Sequence, residues 1–72
     1  MRSEINGIVR GYAKENGGDY EACWNKLYRE YNKVAHTHVK GMAKRNHLNV
    51  IAYVEAVGML EILLILAQNL YK

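Results

Sequence analysis

Apolar residues recur along this chain at spacings of three and four, the period that places them on one face of an α-helix, and polar residues fill the positions between. The clearest run is Asp19 to Ala35. Tyr20, Cys23, Trp24, Leu27, Tyr28, Tyr31, Val34 and Ala35 form one stripe there, and Glu21, Lys26, Arg29, Glu30 and Lys33 occupy the rest. The spacing predicts a central helix with Asp19 as its N-cap. Trp24, the only tryptophan, falls mid-stripe. A buried aromatic ring withdraws about 150–250 Å² from water, so Trp24, Leu27, Tyr28 and Tyr31 are the expected structural core.

The same period continues on both sides. Ile5, Ile8, Val9, Tyr12 and Ala13 predict a first helix, capped by Ser3 and closed by Asn16, Gly17 and Gly18. So short a linker makes the first two helices an antiparallel or steeply crossed hairpin. After a break between Ala35 and Thr37, Thr37 is the expected cap of a short third helix carrying Val39, Met42 and Ala43. Asn49 caps a fourth, with Val50, Tyr53, Val54 and Val57 as its stripe and Glu55 on the wet side. Gly58 is then a turn between two helices or a kink within one. The chain therefore reads as all-α, a small orthogonal or bundled arrangement of four to five helices, with residues 1–72 as a single helical domain.

From Met59 to Ala67 the pattern changes, since Glu61 is the one polar residue in that run. A helix apolar nearly all round is either enclosed by its own chain or pressed into a partner. At 72 residues the chain has few elements with which to enclose it. A second subunit is therefore expected over part of this helix, with Leu60, Ile62, Ile65 and Leu66 as the oligomer interface.

Composition narrows the remaining choices. A single cysteine excludes an internal disulfide framework, and its place on the apolar stripe makes Cys23 a small buried hydrophobe in a reducing compartment. No Cys/His set has zinc spacing, so no metal and no other cofactor is expected. His36 and His38 would project roughly 200° apart on a helix, and with His47 they read as surface or capping residues. Val50 to Leu70 is long enough for a membrane span but contains Glu55 and Glu61. Each would cost roughly 2.5–3.5 kcal/mol near a bilayer centre, so no membrane segment is expected. The N-terminus has no apolar stretch of the kind a secretory signal needs, which points to the cytoplasm.

No catalytic arrangement emerges. Ser3 and Thr37 are the only Ser/Thr hydroxyls and both fall at expected caps, while Glu55 and Glu61 lie roughly 120° off a common helical face. The reading is a non-enzymatic module. Its net charge of +3 is concentrated in the middle: residues 1–35 carry six basic and five acidic side chains, whereas 36–47 carry Lys40, Lys44 and Arg45 and no acid. Those three, with His38, are the expected contact for an acidic partner or nucleic acid, aided by Lys33 and Lys14. A small DNA-binding module using residues 36–47 is thus the alternative to a protein-binding one.

The run Ile5, Ile8, Tyr12-Ala13, then Gly18-Asp19-Tyr20, Trp24 and Leu27-Tyr28-Arg29-Glu30 resembles the start of the C-terminal domain of some phage antirepressor proteins, the ORF-six-C type. Tyr53-Val54-Glu55, Gly58, Leu63 and Ala67 are similar to that family's last helices. The matching positions span most of the chain and are core residues rather than a chemical signature. The resemblance implies a helical, non-enzymatic module of a phage or prophage regulator, making protein contacts in the cytoplasm of a bacterium or phage-infected host. In that family the domain usually follows an N-terminal domain, and this sequence starts at Met1 without one.

Overall fold

In the computed structural model, which describes residues 1–71, every regular element is a helix: α1 (Arg2–Glu15), α2 (Tyr20–Ala35), α3 (Val39–Arg45), α4 (Val50–Ala56) and α5 (Leu60–Leu70). The expected all-α architecture is present, and Gly58 is a turn between two helices, not a kink. α1, α2 and α5 pack against one another, while α3 and α4 pair with each other and lean on α2 and α5 respectively.

Four helix ends share one device. The last turns of α1, α2, α3 and α4 are closed by a residue in the left-handed region, respectively Gly17, His36, His47 and Gly58. Behind each, the next residue's N–H returns to a carbonyl in the final turn: Gly18 to Ala13, Thr37 to Asn32, Leu48 to Ala43 and Met59 to Val54. This is the Schellman closure, which satisfies carbonyls that a helix end leaves unpaired. His36, His47 and Gly58 stand eleven residues apart, so α3 and α4 are two short helices of equal length with matching exits. His36 and His47 thus close helix C-termini, while His38 stands at the start of α3.

Helix starts agree less uniformly with expectation. Asp19 and Asn49 accept from the N–H groups of Ala22 and Ala52 at 3.1 and 2.8 Å, as N-caps should. Ser3 does not cap α1, which already begins at Arg2. Thr37 does not cap α3 either. His38 takes that position without a side-chain bond, and the Val39 N–H is received by Oδ1 of Asn32 on α2 at 2.8 Å. A cap supplied across the turn replaces a local one.

The largest fully buried side chains are Ile5 and Val9 of α1, Leu27 and Tyr31 of α2, Val39 of α3, Val54 of α4 and Leu63 of α5. Leu27 and Tyr31 therefore hold the central position expected of them. Trp24 and Tyr28 do not, since both are only half-buried at the edge of this core. They line an open groove shared with the start of α1 and Ile51 of α4 instead. Leu60 corrects a second expectation: only 6 % exposed, it packs inside the chain and presents nothing to a partner.

Candidate functional site

Three surfaces carry the side chains with chemistry to offer. The first is the outward face of α5. Leu60, Leu63, Ala67 and Tyr71 turn inward and are buried, whereas Ile65 is 48 % exposed with half-buried Ile62 and Leu66 beside it. Asn69 continues this face, but its amide donates back to the Ile65 carbonyl at 3.1 Å, so its polarity is satisfied within the helix. Of the four residues expected at an interface, three therefore share an outward apolar stripe and Leu60 does not.

The second surface is a cleft of about 430 Å³ between α2 and α3, lined by Ala22, Asn25, Arg29, Asn32, His38 and Lys40. Lys40 donates to Oδ1 of Asn25, a bond that draws its ammonium across the cleft toward α2. Gly41 makes room for the His38 ring; a Cβ there would meet the ring's Cδ2 at 3.2 Å. Lys44 and Arg45 lie at the other end of α3 and do not line the cleft. Lys33 is engaged by Glu30 at 3.6 Å. Among the described residues, no carboxylate lies within ion-pair distance of Arg29, Lys40, Lys44 or Arg45.

The basic stretch thus divides into two residues that converge on α2 and two that run past it. Arg29, Asn25 and Asn32 are the members that reading the sequence overlooked. Their spacing of four and three, on the polar side of α2, was the available signal.

The third surface is an aromatic groove, also of about 430 Å³, where Tyr20, Trp24 and Tyr28 climb one side of α2 opposite Arg2, Ser3 and Asn6 of α1 and Ile51 of α4. The indole meets the Tyr20 ring edge-on at 6.2 Å and the Tyr28 ring, tilted, at 5.4 Å. Tyr20 donates to Oδ1 of Asn6, and Arg2 pairs with Glu55, which ties α1 to α4 across the groove's end. Burial, with a smaller contribution from Tyr20, pushes the Tyr28 hydroxyl up to about 12.

No cluster of histidine, cysteine or carboxylate side chains suited to a metal occurs among the described residues, and none of their helices is long and apolar enough to cross a membrane. Comparison of the chain with protein-family models, with curated proteins and with solved structures finds no match in any of the three.

Proposed function

We propose that this chain is a non-enzymatic interaction module that pairs with a second copy of itself through the outward stripe of α5, in the service of a phage or prophage transcriptional regulator. The observation that carries the first part is Ile65, half exposed between Ile62 and Leu66. A two-fold contact brings the same patch against itself, so a charge near its axis would meet its own copy. No residue from Ile62 to Tyr71 is charged, and Glu61, one turn before Ile65, marks the margin of the patch. The regulatory setting rests on the antirepressor resemblance of the core positions.

Light scattering over a concentration series tests the pairing. The expected mass rises above the 8.3 kDa of one chain, and Ile65→Glu returns it to one chain while the helical circular dichroism persists. A mass of one chain at every concentration would remove the proposal.

A further inference from the structure

The cleft between α2 and α3 has used up its acceptors and kept its donors. Oδ1 of Asn25 receives the Lys40 ammonium, and Oδ1 of Asn32 receives the Val39 N–H. Both partners can only donate, so the orientation of each amide is dictated: the carbonyl points into the protein's own bond and the NH₂ group is left over. To these amides the lining adds the five N–H groups of Arg29, the remaining ammonium protons of Lys40 and a His38 ring N–H. None of the cleft's cations has a carboxylate partner among the described residues. What remains is a concave surface of positive donors, which suits an acceptor-only oxyanion.

The basic residues also continue beyond the cleft. Lys44 stands one turn after Lys40 on the same side of α3, roughly 6 Å further along the axis, with Arg45 next to it. A single small anion would occupy the cleft and leave both idle. A polyanion with regularly placed phosphates engages all of them. From His36 to His47 the chain has no acidic residue to oppose one. Glu21, one turn before Asn25, is the nearest carboxylate along that side of α2 and is not part of the lining.

We propose that the α2–α3 cleft binds the phosphodiester backbone of duplex nucleic acid, with Arg29, Lys40 and the amides of Asn25 and Asn32 on one phosphate and Lys44 and Arg45 on its neighbours. The contacts are to phosphate, so the binding is insensitive to base sequence. It uses a surface separate from α5, and a second copy of the chain supplies a second cleft.

The test is fluorescence anisotropy of a labelled duplex titrated with the full chain over a series of salt concentrations. Binding is expected at low salt, with the logarithm of affinity falling linearly in the logarithm of salt at about 0.9 per phosphate neutralised. Arg29→Ala with Lys40→Ala should weaken binding by tenfold or more and lower that slope by about two. The discriminating variant is Asn25→Asp with Asn32→Asp. It keeps both acceptor oxygens that hold Lys40 and Val39 but replaces the free donors with negative oxygens, so the fold stays and duplex binding goes. Lys26→Ala, outside the cleft, should stay within twofold of the parent. Failure of the parent chain to hold duplex at low salt overturns the proposal, as does undiminished binding by the double aspartate variant. Inorganic phosphate bound without any duplex would make the cleft a small-anion site. Equal displacement of duplex by polyglutamate would make it a bare charge patch. Either result also overturns it.

Discussion

His36 and His47 sit at φ of 52° and 57°, where an L side chain crowds the following carbonyl. Histidine is among the few residues besides glycine enriched there, yet the strain remains, at roughly 1–2 kcal/mol for a side chain in this conformation. Gly58 closes α4 in the same motif at φ 75° without that strain. Replacing His47 by glycine removes the crowding but loosens the unfolded chain by about 0.4–1 kcal/mol. Relief of the crowding outweighs that loosening, so His47→Gly should raise the free energy of unfolding by about 0.5–1 kcal/mol. Gly58→Ala should lower it by about 1 kcal/mol. Denaturant titration of both variants checks the pair, and a destabilised His47→Gly would show that its ring contributes more than the backbone conformation costs. Which helix ends these histidines would close emerged only with the fold, but that they were surface or capping residues was readable. That Trp24 would stand at the edge was not, because residue size says how much a side chain gains from burial and nothing about which part of a stripe the neighbours cover.

At the scale of elements, periodicity located the helical segments but left Gly58 as either a turn or a kink, which only the fold decides, and the caps at Asp19 and Asn49 were visible because side chain and target N–H are three residues apart. Asn32 shows where such reading stops. It caps α3 from α2, seven residues upstream and across a turn, a relation that exists only once the chain has folded back at His36. The cleft has the same property: its basic half lies in one stretch of sequence, while Arg29, Asn25 and Asn32 reach it through the packing of α3 on α2. α3 needs this support, since a helix of seven residues falls well short of the ~12–15 that hold alone in water. Gly41 in its first turn weakens it further, by up to roughly 0.8–1.0 kcal/mol relative to alanine. A Cβ at 41 would meet only the Cδ2 of exposed His38, which is free to swing aside. Gly41→Ala should therefore stabilise α3 by about 0.5–1 kcal/mol and slow amide exchange across Val39–Arg45. Faster exchange would mean that the His38 ring is fixed where it lies.

For the whole molecule the decisive closure is at the C-terminal end of α5, where Tyr71 binds three helices together. Its ring lies 4.4 Å from that of Tyr12 on α1, and its hydroxyl donates to the Cys23 carbonyl on α2. The side chain is buried, at 7 % exposure, and burial is the main cause that lifts its hydroxyl to about 12, with Cys23 and Tyr12 adding to the rise and Arg29 opposing it. Tyr28 is lifted to about 12 chiefly by the same cause. In the unfolded chain both ionise near 10. The folded state thus holds protons that the unfolded state releases between pH 10 and 12, and linkage requires stability to fall across that window and to be complete below it. A phenolate also cannot donate to the Cys23 carbonyl, so ionisation of Tyr71 cuts the tie between α5 and α2 at the moment it introduces a buried charge. Unfolding midpoints should accordingly stay level up to about pH 9.5 and drop above it. Tyr71→Phe isolates the part that comes from Tyr71. It should cost about 0.5–1.5 kcal/mol at neutral pH for the lost hydrogen bond, yet show a shallower alkaline decline than the parent. Parallel declines would place the pH sensitivity outside Tyr71, because the phenylalanine variant keeps the ring against Tyr12 and lacks only the group that ionises.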